Sequence, residues 1–191
     1  MTAVLQLDRT GTPQDWLSVH DAATLICTDH VAWSAGPVVA TLRGGRSRLT
    51  GEISCLSIPA ILATTGVARK DLASQVPPLS RHNHKLFERD RRLCAYCGEV
   101  FPVSMLTREH IQPLSQNGQD IWTNVVSACR GCNHRKGPRT PEEAGMPLLY
   151  LPYAPNWYED FLLQRGGKTI LADQMDFLMS RVSPGSRLRV S

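Results

Sequence analysis

The sequence predicts an α+β protein with a small metal-pinned core, and three observations predict it. Two C-x2-C pairs, Cys94–Cys97 and Cys129–Cys132, have the spacing of zinc knuckles. The 31-residue insert between them is β-leaning and carries a strong turn signal, Asn117-Gly118. Helical patterns of apolar residues follow, up to Arg181.

The elements are read in chain order. Residues 3–8 (AVLQLD) alternate like a short strand. Pro13 opens a predicted helix through Ile26, with Asp15 in its first turn. His30–Trp33 and Val38–Arg43 read as strands on either side of Ala35-Gly36-Pro37, with Gly44-Gly45 as a turn. Glu52–Ile58 reads as another strand, ended by Pro59. Val76-Pro77-Pro78 is stiff and extended, and marks a boundary. Beyond it, Asn83–Arg89 suits a short helix, and Val103–Ile111 a strand. Cys129–Lys136 reads as a knuckle running into a helix. Pro141–Ala144 reads as a helix start with Gly145 as its stop. Trp157–Gln164 and Thr169–Arg181 are predicted helices parted by Gly166-Gly167. In the second, Ile170, Leu171, Met175, Leu178 and Val182 share a face. The domain reading is an N-terminal α+β module of open role (1–80), a core (81–146) and a C-terminal helical extension (147–191).

Composition narrows the function classes. At 42% hydrophobic and 20% charged, the 191 residues can bury a core. The longest nearly apolar stretch, Val31–Leu42, is broken by Gly36 and Pro37 and is too short to span a bilayer, which needs about 18 residues. The first ten residues hold Asp8 and lack the basic-then-apolar order of a signal peptide. The expected location is therefore the cytoplasm, where patterned cysteines point to metal rather than disulfides. Residues 81–140 carry ten Lys+Arg against five Asp+Glu, a balance of +5 in a chain of net +4. That excess fits a polyanionic partner.

Four thiolates suit a tetrahedral zinc ion in a closed, structural site. The insert supplies different chemistry. Glu109 offers a hard oxygen ligand for Mg²⁺ or Mn²⁺. His110 offers a base, since a free imidazole titrates near pH 6.5. Asn124 can hydrogen-bond that imidazole and set its tautomer, and Asn133 offers a second oxygen ligand. Arg135, Lys136 and Arg92 are candidates for phosphate contact. Arg89 and Arg91 are read as groove or plain surface, and Cys27 and Cys55 as small buried hydrophobes. The four tryptophans are read as core or semi-buried anchors.

The run CAYCG, then TREHIQPLSQNG, then WTNVVSACRGCNHRKGPRTPEEAGM resembles the HNH endonuclease family, in its bacterial branch with a four-cysteine zinc site. The resemblance covers about residues 81–146. It implies a ββα-metal fold, a hairpin and helix clasping one divalent ion. It further implies His110 as general base, Asn124 as the residue that positions it, and Asn133 with Glu109 as ligands of the catalytic Mg²⁺ or Mn²⁺. His134, one residue beyond the expected position, is an alternative ligand. The implied activity is hydrolysis of phosphodiester bonds in double-stranded DNA. One active centre cuts one strand, so a double-strand break needs a homodimer or two visits. Two other readings stay open. One is a catalytically inactive zinc-stabilised nucleic-acid-binding module, and the other a zinc-pinned protein-interaction domain. Strand geometry also poses a question: Glu109 and His110 are neighbours, and neighbours in a regular strand point to opposite faces.

Overall fold

In the computed structural model, residues 3–66, 72–166 and 169–189 are described. The chain divides into two compact units, Met1–Ser74 with Gly167–Arg181, and Gln75–Gly166 with Val182–Ser191. Residues 147–191 are thus shared between them. No helix among the described residues is long and apolar enough to cross a membrane.

The first unit holds a four-stranded sheet in the order β2-β1-β4-β3, formed by β1 (Val4–Leu7), β2 (Pro13–Leu17), β3 (Val31–Arg46) and β4 (Ile53–Thr64). β1 runs parallel to β4, and the other pairs are antiparallel. The first helix, α1, spans Val19–Cys27. It starts six residues later than Pro13 suggested, because Ser18 caps it by accepting a hydrogen bond from the Asp21 amide. Pro13 instead begins the edge strand, where a missing N–H costs little. The apolar face of α1 buries Ala22 and Ala23 against Val4, Ile58 and Leu62. Each fully buried aliphatic side chain here contributes about 1.5–3 kcal/mol.

β3 is one bulged strand rather than two. Gly36 takes a positive φ of 78° beside a register shift between Ala35 and Val38. A second shift, between Arg43 and Arg46, absorbs Gly44-Gly45, so that pair is a bulge and not the turn. The chain reverses after it, where the Ser47 and Glu52 backbones bond. β4 also runs through Pro59. β1 pairs only with Ile61–Ala63, and the β3 bulge faces Pro59, so no ladder bond requires its N–H. Cys27 and Cys55 are exposed, against the expectation of burial. Trp33 is 37% exposed and donates its indole N–H to the Arg9 carbonyl, so it is no core anchor.

The second unit begins with a short helix, α2 (His84–Arg89), and contains the hairpin of β5 (Leu106–His110) and β6 (Val125–Cys129). The hairpin is antiparallel and in register, with Leu106 opposite Cys129 and His110 opposite Val125. Helix α3 (Arg130–Lys136) follows β6 directly, giving the ββα order. Helix α4 (Pro141–Ala144) has a full capping box from Thr140 and Glu143, and Gly145 ends it at positive φ. Helix α5 (Trp157–Arg165) packs on α2 through Lys85, whose ammonium meets both Asp160 oxygens at 2.8 and 2.7 Å. The core joins Leu86, Phe87, Leu106, Trp122 and Val125.

Arg89 lies inside this core, fully buried, and not on the surface. It pairs with Asp90 at 2.8 Å and donates to the carbonyls of Trp122, Val125 and Tyr153 at 2.7–2.8 Å. Asp90 in turn accepts from the Ser127 amide of β6. The charge is therefore paired and hydrogen-bonded, which is what burial of an ion demands.

The last helix, α6 (Ala172–Met179), belongs to the first unit and is shorter than predicted. Ile170, Leu171 and Val182 fall outside it, and Gly167 lies outside the described residues. Leu178 is fully buried, while Met175 is 38% exposed, so the predicted apolar face is only partly realised. Gln174 ties α6 to the sheet by donating to the carbonyls of Ala3 and Ala60, each at 2.8 Å.

Candidate active site

Two neighbouring centres occupy the second unit. At the first, the Sγ atoms of Cys94, Cys97, Cys129 and Cys132 all lie within 4.8 Å of one another. Gly98 makes one knuckle, with φ 74° and its amide bonded to the Cys94 carbonyl. The start of α3 makes the other, with the Cys132 amide donating to Cys129 Sγ at 3.4 Å. Tetrahedral zinc–thiolate geometry, with Zn–S about 2.3 Å, sets neighbouring sulfurs roughly 3.8 Å apart, so the cage fits such an ion. Burial pushes the Cys132 thiol up to about 12, and its cysteine neighbours add to the rise. Burial also raises Cys97. At Cys94 burial acts the same way, but backbone N–H groups outweigh it and hold that thiol below its ordinary value. Four sulfurs this close repel one another when charged, and a cation between them removes that penalty.

The second centre is built on the end of β5. Leu106 points into the core, and alternation then sends Thr107 and Glu109 to one face and Arg108 and His110 to the other. On the first face stands α3. Asn133 Nδ2 donates to Thr107 Oγ1 at 2.7 Å, and Lys136 Nζ donates to Glu109 Oε1 at 2.5 Å and to the His110 carbonyl at 2.9 Å. Asn133 and Lys136, three apart on the helix, share this seam. Lys136 is fully buried, so its ammonium is spent inside the protein and is not presented to phosphate. Burial raises the Glu109 carboxyl above its ordinary value, against the pull of Lys136.

On the opposite face, His110 Nε2 lies 2.9 Å from Asp120 Oδ1, and Arg108 donates to Asp120 Oδ2 at 2.7 Å. Burial alone would raise Asp120, but the hydrogen bonds from His110 and Arg108 outweigh it and keep the carboxyl below its usual range. An ionised carboxylate only accepts, so Nε2 carries the hydrogen and Nδ1 of the neutral ring keeps its lone pair. Sequence reasoning missed Asp120. Its signal is weak: an acid two residues beyond the Asn117-Gly118 turn.

Asn124 acts on the loop and not on the imidazole. Its Oδ1 accepts from the Gln112 amide at 2.9 Å, and its Nδ2 donates to the carbonyls of Gln112 and Gln119. The amide group is fully used by backbone, which clamps the loop between β5 and β6. Gly118 closes that loop where a Cβ would lie 1.8 Å from the Gln112 carbonyl oxygen. Arg135 and His134 are exposed on α3, Arg135 with one N–H 3.8 Å from Cys132 Sγ. Arg92 is held by Glu88 one turn earlier in the chain, at 2.7 and 2.9 Å.

The family model described as HNH endonuclease matches residues 94–149. That segment is similar to HNH endonuclease domains. It takes in both cysteine knuckles, the β5–β6 hairpin, α3 and α4. A search of curated proteins finds no match. Five solved chains match. One is described as a crystal structure of Streptococcus thermophilus Cas9 in complex with the GGAA PAM. It is 24% identical over 53% of this chain and 11% of that one, with a TM-score of 0.28. This chain therefore spans a small part of that protein's length.

Glu109 and Asn133, on the α3 side of β5, offer oxygen atoms of the kind a hard cation takes. Among the described residues, no hydrogen bond engages Glu109 Oε2 or Asn133 Oδ1, and both belong to the same seam. Mg²⁺ is commonly held by one or two such protein oxygens together with substrate phosphate and water.

Proposed function

We propose that this protein is a DNA endonuclease that hydrolyses phosphodiester bonds, with zinc in the four-cysteine cage and Mg²⁺ or Mn²⁺ at Glu109 and Asn133. The observation that carries the reading is the His110–Asp120 pair at the end of β5, within the matched segment. Asp120 holds Nε2, and Nδ1 accepts a proton from water as that water's oxygen attacks phosphorus and the 3′-oxygen leaves. Asp120 also stabilises the imidazolium so formed. Asn124 holds the loop that carries Asp120, and the exposed Arg135 supplies phosphate contact. A divalent ion, when bound, supplies Lewis-acid stabilisation of the charge that develops on the phosphate.

The test is nicking of supercoiled plasmid, with added Mg²⁺, with Mn²⁺ and with neither. His110→Ala is expected to lower the rate about 10²–10⁴-fold, the usual size of general-base catalysis. Asp120→Ala should lose less, because it removes the support and not the base. Equal activity in parent and His110→Ala would overturn the assignment. Two observations favour a second reading. The Lys136 ammonium already neutralises Glu109, and Glu109 and His110 face opposite sides of β5, as suits a binding module without a catalytic ion. Tight, salt-sensitive DNA binding without nicking in any metal would select that reading.

A further inference from the structure

We infer that the β3–β4 hairpin of the first unit is a DNA-binding arm. This rests on the reading that the protein acts on DNA. Beyond the short pairing with β1, β3 and β4 continue as a two-stranded ribbon, and residues 41–55 are all exposed. The ribbon carries Arg43, Arg46 and Arg48, and Glu52 is the one acid in residues 31–64. None of the three arginines makes an ion pair among the described residues.

The backbone arranges these charges. Arg43 sits opposite Cys55 and Arg46 opposite Ile53, two residues apart on β4, so both arginines project from one face. Without a bulge, residues three apart would point to opposite faces. The extra residue absorbed at Gly44-Gly45 corrects the phase, and Arg48 follows in the turn. The opposite face, through Ala40 and Leu56, runs back to the apolar cluster of the unit. A cationic face backed by a core-facing one suits a polyanion. Its shape is that of a two-stranded ribbon, an element the DNA major groove admits. A second copy pairing along the β3 edge is disfavoured, because bulges and arginines interrupt the row of free backbone groups.

The test is binding of a labelled DNA duplex by fluorescence anisotropy over a salt series, without added Mg²⁺ or Mn²⁺. The parent is compared with the triple variants Arg43→Gln/Arg46→Gln/Arg48→Gln and Arg43→Lys/Arg46→Lys/Arg48→Lys. The glutamine variant should flatten the slope of log K against log salt by about two to three, because each phosphate left without its cation removes about 0.9 from the slope. The lysine variant should keep most of the slope, because the charge remains. Parent binding matched by the glutamine variant in affinity and slope would overturn the arm and leave the nuclease reading standing. No parent binding at any salt would overturn both. A parent dimer that the glutamine variant lacks, with duplex affinity unchanged, would give the arm to a second copy and overturn the proposal.

Discussion

The two units are stabilised by different means. The first closes around aliphatic contacts, with Val4, Ile58 and Leu62 against the small face of α1, and its titratable groups lie mostly outside. The second places ions inside: Arg89 with Asp90, Lys136 with Glu109, and Lys85 with Asp160. It adds the four-cysteine cage. A unit that buries charged groups cannot wrap them in hydrocarbon alone. It needs each charge paired and hydrogen-bonded, and its order depends on every partner being present.

The sharpest way to break this comparison is at the cage. Cys97→Ser should abolish zinc binding and unfold the second unit, because structural zinc supplies roughly 10–16 kcal/mol of apparent binding free energy in small domains. Metal content and thermal melting report this together. Retention of the parent's transitions by the variant would mean that the cage does not hold the unit. Next comes the buried ion. Arg89→Met should destabilise the protein by about 3–5 kcal/mol, since it leaves buried Asp90 with only the Arg187 guanidinium, 3.9 Å away, as counter-charge, and chemical denaturation measures the loss. A loss under about 1 kcal/mol would show that Asp90 finds water or protonates at little cost.

The smallest effect is in the first unit. Burial tends to raise Asp8, but hydrogen bonds from Thr10 and Thr12 outweigh it and hold the carboxyl below its ordinary value. A depressed folded value means that the stabilisation is present above the unfolded value and is lost as pH falls through the folded one. Acid titration followed by melting should therefore show the parent losing stability below about pH 4, and Asp8→Asn losing less over that window. An unchanged acid limb would remove Asp8 from the account.

Where a residue's role follows from its near neighbours in sequence, it was legible. The knuckles, α2, the Pro141 start and Gly145 stop of α4 and the Asn117-Gly118 turn all depend on spacing within a few residues. Pro13 misled because Ser18, five residues on, is the stronger helix start. The bulges at Gly36 and Gly44-Gly45 resembled chain breaks, since a glycine that permits a bulge and one that permits a turn have the same local signature. Their meaning depended on β4, which arrives later in the chain.

The same division governs the site. The sequence alone determined the ligand chemistry: four thiols at knuckle spacing, a histidine beside an acid, and an α+β frame to carry them. Only the tertiary structure decided which groups meet. Strand alternation sends Glu109 to Lys136 and His110 to Asp120, across 27 and 10 residues of chain. It also turns Asn124 onto the loop backbone and takes Lys136 out of reach of phosphate. Side-chain type is a local property of the chain, whereas a hydrogen-bond partner is set by packing between segments that spacing does not relate.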